Sequence, residues 1–173
     1  MQKHSADQAL VRELNLSLVL RMIHNQAPIS RAKIAKKTGL NKSTVSSLAE
    51  DLIQRKLIHE VGVNPTARTG RPARLLQINA LAGGIIGLEF GVDHIAVGLT
   101  NFVGETLWKK SESTNTAESK EKILKQALSI IEEGIQIAKG KKLDILGLGI
   151  ATPGTVNVDE GYLIFAPNLQ WHD

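Results

Sequence analysis

Apolar residues recur at three- and four-residue steps in the first third of the chain and at two-residue steps through much of the rest. Leu10, Leu14, Leu18 and Met22, flanked by Val11, Val19 and Ile23, predict a helix over residues 10–23 that buries this stripe. Ala27-Pro28-Ile29 interrupts it, because proline cannot carry the helical ladder onward. Ser30 is a good N-cap for a second short helix through Thr38, and Gly39 closes that helix by tolerating the left-handed conformation. A third helix is predicted from Asn41 or Lys42 to Lys56, with Val45, Leu48, Leu52 and Ile53 inward.

Fixed offsets make the middle of this pattern more specific than a helix count. Ile34 is apolar, Ala35 is small, Gly39 permits a sharp turn and Leu40 plugs the joint. Two short helices can therefore cross closely, which is the helix-turn-helix arrangement. The outward positions of the third helix, Lys42, Ser43, Thr44, Ser46 and Ser47, are short or polar and suit groove edges and phosphates. Past Leu57 the pattern changes to two short antiparallel strands, around residues 58–61 and 75–78. The interval 63–72 between them is basic, holds Pro65, Gly70 and Pro72, and would form a wing with Arg68 and Arg71 near its tip. The predicted DNA contacts are Arg31, Asn41, Lys42, Ser43, Thr44, Ser46, Ser47, Arg68 and Arg71. Two plainer arrangements fit the same residues: a three-helix bundle with a serine-rich face, and a basic interdomain linker in place of the wing.

Charge sharpens the first reading. Residues 1–79 carry 13 Lys+Arg against 5 Asp+Glu, a net +8, whereas residues 80–173 carry 8 against 12, a net −4. All seven arginines fall in the first part. A guanidinium matches phosphate and the guanine edge bidentately, so the partner expected of this part is double-stranded DNA. The first eighty residues hold no Phe, Tyr or Trp, which removes the stacking platform that single-stranded nucleic acid usually needs. The chain has no cysteine, excluding disulfides, thiolate zinc sites and cysteine nucleophiles. No apolar run reaches the length of a membrane span, so a cytoplasmic location with no membrane partner is expected.

A second module opens at Gly83. Strands predicted near 85–90, 95–100 and 105–111 are joined by short turns and form an antiparallel meander. A long helix follows, capped by Thr116 and ending at Gly140, with Ile123, Leu124, Ala127, Ile130, Ile131, Ile135 and Ala138 on one side. The apolar strand 145–151 should return parallel to the sheet. The order β-β-β-α-β makes the module α/β. The stretch Thr152 to Val156 is followed by a turn and then by an apolar stretch over 161–165.

Three stretches carry a resemblance: Gly70-Arg71-Pro72, Gly147-Leu148-Gly149-Ile150-Ala151-Thr152-Pro153-Gly154, and Ala166-Pro167-Asn168-Leu169-Gln170-Trp171. With them the whole chain resembles the ROK family of repressors and sugar kinases. The resemblance implies a winged helix-turn-helix over residues 1–80 and, over 81–173, the first part of an actin-like ATPase domain. It also implies homo-oligomers when complete, binding to operator DNA, and release by a sugar effector, with xylose expected. Gly154 and Asn168 fall on family positions that contact sugar hydroxyls, and Asn157 replaces an aspartate common in that turn.

In the family's kinases an Asp-x-Gly-Gly-Thr loop sets backbone amides against ATP phosphates. Here the matching stretch is Glu89-Phe90-Gly91-Val92-Asp93-His94, so Val92 fills space and Asp93 brings a like charge. A repressor without enzymatic activity, cofactor or metal is expected. The alternative is a kinase with a DNA-binding head, with Glu89 and Asp93 holding a metal beside the nucleotide. The family's catalytic Asn-Asp motif and its Cys/His zinc motif have no counterpart in the sequence, so the chain is expected to hold only part of the domain. An uncovered apolar helix face including Ile130, Ile131 and Ile135, and an open sheet edge, should then promote association.

Overall fold

The structure is a computed structural model that describes residues 3–63, 73–115 and 118–172. It divides into two compact units, Met1–Ala82 and Gly83–Asp173. The first begins with α1 (Lys3–Gln26), followed by β1 (Ile29–Ser30), α2 (Arg31–Thr38), α3 (Lys42–Gln54), β2 (Ile58–Val63) and β3 (Arg74–Ile78). The three strands form one antiparallel sheet in the order β1-β3-β2. Val19, Ile23, Ile29, Ile34, Val45, Leu52, Ile58 and Leu76 are almost wholly buried and form the core that joins helices to sheet. Each side chain of this size contributes roughly 1.5–3 kcal/mol when removed from water.

The first helix corrects one expectation. Leu10, Leu14 and Leu18 are 60%, 61% and 38% exposed, and Val11 is exposed beside them. The inward face is Val19 and Ile23, which flank the predicted stripe, together with Leu16. Apolar residues repeat on both sides of α1, and the side that meets α2, α3 and β3 is the one that becomes core.

In the second unit β4 (Gly84–Phe90), β5 (His94–Asn101) and β6 (Thr106–Ser113) form the antiparallel meander. After α4 (Lys120–Gly140), β7 (Ile145–Ala151) returns parallel to β4, giving the order β6-β5-β4-β7. The cap of α4 is Ser119, whose hydroxyl accepts from the Lys122 N–H at 3.3 Å; Thr116 lies outside the described residues. The helix lies against β4, β5 and β6, burying Ile123, Ala127 and Ile130 with Ile86, Leu88, Phe90, Val97 and Leu99.

The expectation that this helix face stands uncovered is therefore wrong. Ile130 is 1% exposed, and Ile131 and Ile135 are packed against the same core because the sheet itself supplies the cover. Apolar residues left in the open include Leu146, Leu148 and Ile150 on the edge strand β7 and Leu124 and Leu128 on α4. Trp108 on β6 lies over Gly134 of α4, where an added Cβ would meet the indole at 3.1 Å. The glycine lets helix and indole approach.

The chain ends in a small antiparallel sheet of β8 (Thr155–Asn157), β9 (Tyr162–Ala166) and β10 (Trp171–His172), in the order β10-β9-β8. The turn expected after Val156 follows β8, at residues 158–161. Trp171 meets Phe90 edge to face, ring centres 5.3 Å apart, tying this sheet to the larger one.

Candidate nucleic-acid interface

The pairing of α2 with α3 follows from local chemistry. Ser30 is extended and its hydroxyl accepts from the Lys33 N–H at 3.3 Å, which starts α2. Gly39 adopts φ +75° and donates its N–H to the Ala35 carbonyl at 3.0 Å, which ends it. Asn41 then caps α3, its side-chain oxygen Oδ1 accepting from the Thr44 N–H at 2.7 Å and from the Ser43 hydroxyl at 2.8 Å. Ile34 and Ala35 from α2 and Val45, Leu48, Ala49 and Leu52 from α3 are buried, so α3 is held from behind.

Its other side is open. Lys42, Ser43, Ser46 and Ser47 are exposed and Thr44 is half-buried. The hydroxyls fall into two kinds. Ser43 and Ser46 donate internally, to Asn41 and to the Lys42 carbonyl at 2.9 Å, which leaves their lone pairs outward as acceptors. The Thr44 and Ser47 hydroxyls make no hydrogen bond within the chain among the described residues. A cleft of about 440 Å³ between α1 and α3 is lined by Gln8, Arg12, Asn15, Ser43, Thr44 and Ser47.

The cations divide in the same way. Arg31 donates to Glu60 Oε1 at 2.7 Å, Arg74 donates to the other oxygen of that carboxylate at 2.5 Å, and Glu50 lies 4.0 Å from Arg31. The start of α2 and the facing ends of β2 and β3 are thereby tied together. Arg31, a predicted DNA contact, keeps 26% of its side chain exposed and shares the Glu60 carboxylate with Arg74. Arg12 and Arg55 share Asp51 in the same manner, at 2.7 and 2.6 Å, bracing α1 on α3. The two arginines hold the Asp51 carboxyl below the usual carboxylate range, Arg12 first, and Arg74 with Arg31 does the same for Glu60.

Lys33, Lys36 and Lys37 on α2 and Lys42 on α3 are exposed and form no ion pair among the described residues. The α2 lysines were missed as candidates, although the Lys36-Lys37 pair one helix before the serines was a visible signal. Arg68 and Arg71 lie outside the described residues.

In the second unit, Gly91 and His94 close the turn between β4 and β5. Gly91 donates to the His94 carbonyl at 2.8 Å, and the His94 ring sits where a Cβ on Gly91 would be. Val92, in place of the loop's second glycine, is 46% exposed. Asp93 is paired with His94 Nδ1 at 2.9 Å, and this contact lowers the Asp93 pKa.

Gly154 lies against β9, where an added Cβ would meet the Phe165 carbonyl at 2.5 Å. Asn168 is exposed in the 3₁₀ turn Pro167–Leu169 that follows the same strand. The small sheet thus brings these two residues to one neighbourhood. Asn157 is used in its own turn, donating to Glu160 at 2.8 Å and accepting from the Glu160 N–H at 3.1 Å.

Comparison with known proteins places both units. The ROK family model matches residues 85–173, and the MarR family model matches residues 17–68. A xylose repressor of Caldicellulosiruptor bescii is 39% identical over 164 residues, covering 95% of this chain and 41% of that protein. The xylose repressor of Bacillus subtilis is 34% identical over 171 residues, covering 97% and 43%. An N-acetylglucosamine repressor of Escherichia coli is 28% identical over 162 residues, covering 93% and 39%. The chain spans about two-fifths of the length of these curated relatives. The crystal structure of a ROK family transcriptional regulator, a homolog of the E. coli MLC protein, superposes with TM-score 0.75 at 26% identity. That match covers 94% of this chain and 41% of the other.

Proposed function

The chain belongs to the ROK family, and from that premise we propose that it is a sequence-specific DNA-binding repressor of sugar-utilisation genes, released from its operator by a sugar. The observation that carries the reading is the open hydroxyl side of α3, backed by buried Val45 and Leu48. Lys42, Ser43, Thr44, Ser46 and Ser47 read base edges, while Lys33, Lys36 and Lys37, with Arg68 and Arg71 of the wing interval, meet phosphates. Asn41 holds the start of the reading helix, and Arg31 orients α2 through Glu60. This division follows the general rule that phosphate contacts position the protein and base contacts specify the site.

Binding to a duplex operator should fall steeply with salt, because neutralised phosphates release counterions. Lys36→Ala and Lys37→Ala should each weaken binding to all sequences and reduce the log–log salt slope by about 1, whereas Thr44→Ala and Ser47→Ala should change preference at single base pairs. A gel-shift series in which none of these variants differs from the parent chain overturns the assignment.

The effector reading rests on relatives named xylose repressor and on the neighbourhood of Gly154 and Asn168. Titrating xylose, with glucose as control, into the operator complex tests it; a complex untouched by either sugar counts against it. We also read the chain as non-catalytic, supported by the relatives' names and by the His94 ring over Gly91. ATP-dependent phosphorylation of xylose by the chain would favour the kinase reading.

A further inference from the structure

We infer that the outward stripe of α1 is a self-association surface, and that it pairs with the same stripe of a second copy in antiparallel orientation about Leu14. Residue directions on a helix advance 100° per position, so Asp7, Leu10, Leu14, Leu18 and Arg21 all point within roughly 40° of Leu14. Leu10 and Leu14 are the most exposed of the apolar residues on this helix, and Val11 and Leu18 flank them. The opposite side, Leu16, Val19 and Ile23, already serves the unit's own core. The helix therefore carries two apolar faces, only one of which the chain itself covers.

The order of residues along the stripe selects the occupant. In an antiparallel pair centred on Leu14, each residue meets the one equally far on the other side of the centre. Leu10 then faces Leu18 of the other copy, Val11 faces the small Ser17, and Asp7 faces Arg21. Asp7 and Arg21 are exposed, and neither has an ion-pair partner among the described residues. A parallel pair would instead set Asp7 against Asp7 and Arg21 against Arg21, a like-charge arrangement that disfavours it. Opposite charges at the two ends and leucines between them make the stripe complementary to itself, as a two-fold interface requires. The inference does not depend on the DNA reading.

Cysteine cross-linking tests it directly, because the chain has no cysteine of its own. Leu14→Cys should give a disulfide-linked dimer on mild oxidation, since position 14 meets itself across the two-fold axis. Leu10→Cys alone should not, whereas an equimolar mixture of Leu10→Cys and Leu18→Cys should link one chain of each kind. In sedimentation at several concentrations, Leu14→Glu should raise the concentration at half-dimer by about 30-fold or more, as expected for a central interface residue. Asp7→Arg and Arg21→Asp should each weaken the dimer, and the double exchange should restore it.

All three leucines are solvent-facing in the single chain, so the circular dichroism spectrum should be unchanged and loss of folding separable from loss of pairing. Linking of Leu10→Cys as readily as Leu14→Cys overturns the antiparallel geometry. A dimer that sediments as before in Leu14→Glu, through β7 or any other surface, overturns the assignment of the stripe, as does a parent chain that stays monomeric.

Discussion

Replacing Asn41 separates the stability of α3 from its use. Its side-chain oxygen accepts from the Thr44 N–H at 2.7 Å and from the Ser43 hydroxyl at 2.8 Å, in the position where a helix start has unsatisfied amides. Asn41→Ala removes both bonds and should cost about 1 kcal/mol, the usual value for an N-cap. For a unit of this size that is a drop in Tm of roughly 4–8 °C. Asn41→Asp keeps the acceptor and adds a negative charge where the helix dipole favours one, so stability should be retained or rise by about 0.3–1 kcal/mol. The same charge faces the phosphates in the proposed complex, so operator affinity should fall although the protein is at least as stable. Calorimetry and gel shift on the two variants give the four numbers needed. A melting temperature for Asn41→Asp as low as for Asn41→Ala would refute the capping argument, and undiminished affinity of Asn41→Asp would remove α3's first turn from the interface.

Three further outcomes are expected. Leu52 is fully buried, so Leu52→Ala should cost roughly 2–5 kcal/mol in urea unfolding, against changes within about 0.5 kcal/mol for the exposed Ser47→Ala; equal effects would contradict the division of α3 into two sides. The pKa values of Asp51 and Glu60 are lowered by their arginines, so the stabilisation they supply is present above the unfolded values of 3.8 and 4.5 and is lost as pH falls through the folded ones. The difference in urea midpoint between the parent chain and Asp51→Asn or Glu60→Gln should therefore shrink on acidification below those values, and a constant difference would contradict the ion-pair assignment. Gly154→Ala sets a methyl group against the Phe165 carbonyl and should destabilise the small sheet by roughly 1–3 kcal/mol. Faster amide exchange across Tyr162–Ala166 is the readout; unchanged protection would mean the contact is relieved at no cost.

What the sequence discloses here is mostly local. The caps Ser30 and Asn41, the left-handed Gly39 and the buried offsets of α2 and α3 are set within a few residues, and they stand as the spacing predicts. The strand meander and the parallel return of β7 follow equally from short-range alternation and connection rules. Misreadings arise where a distant partner decides. Leu10, Leu14 and Leu18 have the spacing of a buried stripe, but which side of α1 is buried depends on where α3 and β3 lie. The pairing of Arg31 with Glu60 has no local signal, because the two are 29 residues apart. Ile29 and Ser30 carry no strand signal of their own and pair only because β3 passes beside them. Ile130 looks uncovered until the sheet is laid against α4. The His94 ring lies over Gly91 because the chain turns back on itself there, a geometry that the order of residues alone does not specify.

Both tryptophans, Trp108 over Gly134 and Trp171 against Phe90, belong to the unit that begins at Gly83, and the first unit holds no aromatic residue except histidine. Intrinsic fluorescence therefore watches one half of the molecule and is blind to the other. Emission tracked during denaturation, beside an ellipticity signal to which both halves contribute, reads out two separate melting events without labels. During a sugar titration it follows the unit in which effector binding is proposed, while operator occupancy is measured independently.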